Sequence, residues 1–202
     1  MEQDQTHAVV ILAAGGSRRL GAPKQLLTRG GETLVHRAMR QAAATNPRRL
    51  VVVLGGNRVE VARALADLNG DRLFNPRWRE GLASSLRVAA QSLAGHDGPV
   101  LVLGCDQPAL EASHLRRLLD GADSSASGCA ATVHGTALGS PAVITRAMLQ
   151  DSGSLHGDQG FGSRLSLLSP GSVWRLDAPE LQFDIDDAAD QLAAVARGWL
   201  DG

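Results

Sequence analysis

Three short runs constrain the fold of this 202-residue chain more than any other feature: Ala8–Leu12 (AVVIL), Leu50–Leu54 (LVVVL) and Pro99–Leu103 (PVLVL). Each is apolar throughout, rich in β-branched residues and soon followed by glycine. A strand with water on one side alternates apolar and polar residues. One that does not alternate has both faces covered, as in a parallel sheet packed between helices. The intervening segments carry a helical period instead. Leu34, Val35, Ala38, Met39 and Ala42 fall on one stripe, as do Val61, Ala62, Leu65 and Leu68, and then Leu82, Leu86, Ala89, Ala90 and Leu93. Strand alternating with helix over the first 120 residues predicts βαβ units. The expected fold is α/β: a single-domain, Rossmann-like, three-layer α/β/α sandwich around a mostly parallel central sheet.

Beyond residue 120 the pattern loosens. Ala122–Gly128 is turn-rich, Cys129–Val133, Pro141–Ile144 and Ser172–Leu176 are strand candidates, and Asp187–Trp199 reads as a terminal helix. With no repeat and no linker composition, this half is expected to extend the same sheet.

Composition excludes several partners. Lys and Arg number 20 against 21 Asp and Glu, a net charge of -1, with no block of five basic residues, so no electrostatic footprint for nucleic acid or an acidic membrane exists. Three Phe, three Trp and no Tyr leave few platforms for stacked bases. Cys105 and Cys129 lack zinc or disulfide spacing and are expected to be reduced, buried thiols. The opening MEQDQTH is polar and acidic where a signal peptide is basic and then apolar, which predicts a cytoplasmic location. The six histidines show no H-E-x-x-H pair, and no G-x-S-x-G elbow is present.

The chemistry is concentrated where the first strand ends: Leu12-Ala13-Ala14-Gly15-Gly16-Ser17-Arg18-Arg19-Leu20-Gly21-Ala22-Pro23-Lys24. Ligands of open α/β sheets sit beyond the carboxyl ends of the strands. Small residues let backbone N–H groups of Leu12 to Ser17 approach a phosphate closely, and Arg19 and Lys24 add two cations able to neutralise a triphosphate and its transition state. No G-K-[ST] follows the glycines, and G-x-G-x-x-G is absent, so this is neither a P-loop nor a dinucleotide fingerprint. The plainer alternative is a tight strand-to-helix turn with solvated arginines. After the third run, Gly104-Cys105-Asp106-Gln107-Pro108 puts a carboxylate at another strand end, suited to hold Mg²⁺ against the phosphates. Alternatively, Asp106 caps the helix that begins near Leu110.

LAAGGSRRLGAPKQLL resembles the signature L-A-A-G-x-S-x-R-[ML]-G-x-x-K-x-L of the MobA/MocA-like nucleotidyltransferases, and is most similar to its molybdenum cofactor cytidylyltransferase branch. Ala13-Ala14-Gly15 and Pro23-Lys24-Gln25 stand where the guanylyltransferase branch carries A-G-G and D-K-G, which favours CTP over GTP. Four further patches extend the resemblance along nearly the whole chain. It assigns the aspartate of D-Q-P, here Asp106, to the metal. Phe183–Leu192 is similar to the family's D-I-D-T-P-E-D-L and implies Asp184 as a second ligand, whereas Asp186 and Asp187 read as helix caps. Asn75–Leu86 is similar to N-x-x-W-x-x-G-x-x-x-S-L, which implies nucleotide contacts from Gly81 and Ser85 or a plain helix cap, with Trp78 packing. Leu155–Gly162 is similar to L-x-G-D-x-G-A-R on the acceptor side, where Gly157 and Asp158 orient an acceptor phosphate, assist the metal, or shape a turn.

The sequence departs from the family at Phe161, at Arg164 and at Gly139-Ser140-Pro141 in place of G-H-P, all on the acceptor side. Residues 1–120 are expected to bind the nucleotide and 121–202 the acceptor. The resemblance implies transfer of CMP from CTP, with Mg²⁺, to a molybdopterin-type acceptor, and a recipient molybdoenzyme as a further partner. A GTP-using relative, a different phosphorylated acceptor, and a non-catalytic molybdenum cofactor chaperone are the alternatives.

Overall fold

A computed structural model describes residues 7–202; except for His7, the MEQDQTH reading falls outside them. The chain runs from β1 (Ala8–Ala13) through a small hairpin, β2 (Thr28–Arg29) and β3 (Glu32–Thr33), into α1 (Leu34–Ala43). It continues through β4 (Arg49–Leu54), α2 (Arg58–Ala64), β5 (Asp71–Phe74), α3 (Leu82–Ser92), β6 (Val100–Gly104) and α4 (Ala112–Ser124). The remainder adds β7 (Ala130–His134), β8 (Ala137–Ile144), the short helices α5 (Arg146–Gln150) and α6 (Gly162–Ser166), β9 (Trp174–Leu176) and α7 (Ala188–Ala196). All three apolar runs are strands, apart from Pro99 just ahead of β6, and they pair in parallel with β1 in the middle.

One seven-stranded sheet in the order β5-β4-β1-β6-β8-β7-β9 crosses the described residues. Only β8 runs against the others: it is antiparallel to β6 and β7, and β9 returns parallel to β7. The second half therefore extends the first half's sheet. Successive strand residues point to opposite faces, which explains why unbroken apolar runs were needed. Val9 and Ile11 join Val52, Leu101 and Leu103 under α1 and α4, through Met39, Leu115 and Leu118. Val10 joins Val51, Val53 and Val102 on the other side, against Leu86 and Leu93 from α3 and the segment after it, and Leu149 from α5. Both cysteines are free and buried in this core.

Pro141 lies inside β8, where a missing N–H would break a ladder. The pairing with β7 skips there, from Ala131↔Ala142 to Thr132↔Gly139, so Ser140 and Pro141 form the bulge that absorbs it. α4 is capped by Glu111 in a capping box with His114, so Asp106 is not that helix's cap. β1 leads to β4 on one side while β6 lies on its other side, and the C-terminal ends of β1 and β6 thus flank the point where the winding reverses. No helix among the described residues is long and apolar enough to cross a membrane.

Leu101, fully buried in the central strand β6, tests this packing. Leu101→Ala is expected to lower the unfolding free energy by about 2–5 kcal/mol in urea titration. Leu192→Ala, at a side chain 72% exposed on α7, should change it by less than about 0.5 kcal/mol.

Candidate functional site

Leu12 and Ala13 close β1, Ala14 is buried behind them, and Gly15 opens to solvent. The loop is held from beneath by Gln25, a residue the sequence reading left without a role. Its buried amide donates to the carbonyls of Ala13 (3.1 Å) and Gly15 (2.6 Å). Ser17 adopts a left-handed conformation (φ 49°) that turns its hydroxyl inward, where it accepts from the Lys24 N–H at 2.9 Å and donates to Gln25 at 3.3 Å. These bonds fold Arg19 and Lys24 back over the strand end. Trp78 packs under Gly16: a Cβ on Gly16 would stand 2.6 Å from the indole ring, whereas one on Gly15 would meet nothing within 4 Å.

Lys24 Nζ contacts Asp106 Oδ2 at 2.8 Å across 82 residues of sequence, because the ends of β1 and β6 are neighbours. The same ammonium contacts Asp186 Oδ1 at 3.1 Å, and Arg19 reaches Asp186 Oδ2 at 3.0 Å. Asp186 is therefore not a helix cap. That role belongs to Asp187, whose carboxylate accepts from the Ala189 and Asp190 N–H groups. The signal available in the sequence was the D-I-D spacing, since alternate residues of an extended segment share a face. Ile185 is fully buried and its N–H donates to the Asp106 carbonyl at 3.0 Å, which leaves Asp184 and Asp186 on the opposite face, at the strand end.

Burial alone would lower the Lys24 pKa, but the Asp106 and Asp186 carboxylates outweigh it and hold the ammonium well above its usual range. At Asp186, burial is likewise outweighed by Lys24 and Arg19, so its carboxyl lies below the usual range. Asp184 behaves oppositely. Its surface is open to solvent, yet the surrounding protein and then the Asp106 charge push its carboxyl pKa up to about 7. Asp106 and Asp184 thus supply two hard oxygen donors whose mutual repulsion a divalent cation would relieve, a donor set that fits Mg²⁺. No group of three or more His, Cys, Asp or Glu side chains forms a metal cluster among the described residues.

The two remaining patches meet each other. Gly81 (φ 96°) abuts the backbone of Gly157 so closely that a Cβ could not fit, and the Ala83 N–H donates to the Gly157 carbonyl at 2.9 Å. The Asp158 carboxylate accepts from the Leu82 N–H at 3.3 Å, at the start of α3. Ser85 is buried, and its hydroxyl accepts from the Asn75 amide at 3.0 Å. These residues tie the α3 N-terminus to the 155–162 segment. Among the described residues, their hydrogen bonds do not reach the Lys24 cluster.

Backbone donors beside two cations, facing carboxylates across a sheet's switch point, place the chain among α/β proteins whose site lies beyond the carboxyl ends of the strands. A sequence model of the MobA-like NTP transferase domain matches residues 9–171, and the chain belongs to that family. The match includes the loop and Asp106; Asp184 and Asp186 lie past it. A bifunctional GlmU protein of Corynebacterium diphtheriae is 30% identical over 163 residues, 77% of this chain and 33% of that protein. The chain spans about a quarter to a third of the curated relatives it matches. A nucleotidyl transferase from Methanothermobacter thermautotroptrophicus shares the fold with a TM-score of 0.81 at 21% identity, covering 96% of this chain and 98% of that one. The Rv0371C structure from Mycobacterium tuberculosis, in complex with manganese, has a TM-score of 0.75 at 25% identity, covering 95% and 98%.

The Trp78 floor beneath Gly16 and the Asp184 carboxyl each leave a mark on stability. Gly16→Ala should lower the thermal midpoint, because Trp78 or the loop must move, while Gly15→Ala should leave it nearly unchanged; thermal denaturation of both variants checks this. For Asp184, the folded pKa of about 7 exceeds the unfolded value of ~3.9. Between these two values the folded state binds the extra proton, so Asp184 costs stability progressively as pH rises and costs most above pH ~7. Asp184→Asn should therefore stabilise the protein more at pH 8 than at pH 5 in urea unfolding with chelator present.

Proposed function

We propose that the chain transfers a nucleoside monophosphate, CMP from CTP, to a phosphorylated acceptor of the molybdopterin type, with release of pyrophosphate. The observation that carries this reading is the 2.8 Å contact between Lys24 and Asp106, which unites the cationic loop with the acidic strand end. Had these residues faced different sides of the molecule, no triphosphate site would exist.

In the transfer, an oxygen of the acceptor phosphate attacks the α-phosphorus in line. The bond from the α-phosphorus to the bridging oxygen breaks, and pyrophosphate leaves with the electron pair. Such chemistry needs positioning and charge neutralisation more than a covalent nucleophile. The Leu12–Ser17 backbone would cradle the phosphates, while Lys24 and Arg19 would stabilise the negative charge that develops on the transferred and leaving groups. Asp106 and Asp184 would hold Mg²⁺, which when bound supplies further charge neutralisation between phosphate oxygens. The manganese complex of the mycobacterial neighbour supports a divalent ion in this fold. Gly81 and Ser85 would serve the nucleotide side by shaping the wall at the start of α3, and Gly157 and Asp158, which brace that same wall, would border the acceptor.

Pyrophosphate release measured with a panel of triphosphates, Mg²⁺ and molybdopterin acceptor tests the assignment. CTP should be the preferred donor, and chelation of the metal should abolish turnover. Lys24→Ala should reduce single-turnover rates about 10²–10³-fold with the fold intact. A near-normal rate in that variant, or no pyrophosphate from any triphosphate, overturns the reading.

A further inference from the structure

Asp186 engages both cations of the loop with one carboxylate, Oδ1 on Lys24 and Oδ2 on Arg19. Two oxygens of one anionic group bridging an ammonium and a guanidinium is the arrangement a phosphate would make with the same pair. The carboxylate is held in place. Its own N–H donates to Asp190 Oδ2 at 2.9 Å, and the preceding residue, Ile185, is anchored by its buried side chain and its bond to the Asp106 carbonyl. Arg19, 70% exposed, makes no other ion pair among the described residues, so this contact alone fixes where its charge points.

We propose that Asp186 is an internal stand-in for the triphosphate: it orders Arg19 and Lys24 while no nucleotide is bound, then yields both to the phosphate oxygens. This rests on the nucleotide site proposed above and adds a positioning residue outside the segment that the family match covers. The exchange has a definite sign. An internal carboxylate competes with the ligand for the same cations, so neutralising it should tighten binding. A residue that held the nucleotide or its metal would, when neutralised, weaken it.

Asp186→Asn keeps the shape and one acceptor oxygen while removing the charge. Titration calorimetry with CTP, and with inorganic tripolyphosphate as a probe lacking base and ribose, should give dissociation constants about 3- to 10-fold lower than wild type, since each partly exposed pair contributes modestly. The turnover number should not rise, because the cations lose their ordering contact. Asp187→Asn removes an equal charge one residue further on, from a carboxylate that touches neither cation. It should shift binding less than about twofold at physiological salt, where distant charges are screened.

Equal tightening in the two variants, or unchanged or weaker binding in Asp186→Asn, overturns the inference alone. A wild-type chain that binds no CTP, GTP or tripolyphosphate overturns it together with the functional reading. Should Asp186→Asn fail to fold, a wild-type crystal grown with a non-hydrolysable CTP analogue decides. Both cations should then lie more than about 4 Å from Asp186, beyond ion-pair range, and retention of both pairs counts against the exchange.

Discussion

The Lys24 ammonium, held between two carboxylates, is the interaction on which the rest of the site depends. It joins three parts of the chain: the loop after β1, the end of β6 and the extended segment before α7. Its side chain is 17% exposed, so much of its hydration is given up, and close anionic partners must replace it. The dependence is mutual. The Asp106 and Asp186 charges both bear on Asp184, and that crowding of carboxylates is offset by Lys24 together with Arg19 on Asp186.

This ion cluster is positioned by apolar packing further back. The paired strands β1 and β6 carry Lys24 and Asp106 to the same edge, and both faces of those strands are sealed by helices. Gln25 converts the backbone of the Gly15 turn into a fixed surface, and the Trp78 indole supplies its floor. The two glycines differ in what they permit. At Gly16 the missing side chain makes room for protein, whereas at Gly15 it leaves space facing solvent, where a ligand could approach. The C-terminal segment, although it follows the strands of the second half, returns to the first half's site through Ile185 and Asp106.

Much of this was legible in the residues. Unbroken apolar runs implied strands covered on both faces, and the helical stripes implied the layers above and below. The loop signature pointed to Arg19 and Lys24, and a carboxylate at a strand end pointed to Asp106. Asp187 was legible as a cap because capping is a local matter of one side chain and the next turn's N–H groups. Asp186 was not, since an acidic residue beside a helix start complements the dipole equally well wherever its side chain points. Gln25 was silent for a similar reason: nothing local marks a glutamine whose partners are carbonyls 10 and 12 residues earlier. Asp158 and Ser85 fitted a motif, yet their hydrogen bonds are to protein, at the start of α3 and in the interior beneath it.

The amino-acid sequence by itself determined the periods, and with them the elements, the two-sided sheet and a loop suited to phosphate. Those properties depend on neighbours a few residues apart. Only the tertiary structure decided that Lys24 meets Asp106 and Asp186, contacts that span 82 and 162 residues. Strand order and the return of the chain end set those distances, and no local pattern encodes them. The electrostatics followed, because a carboxylate's pKa responds to the charges around it in space.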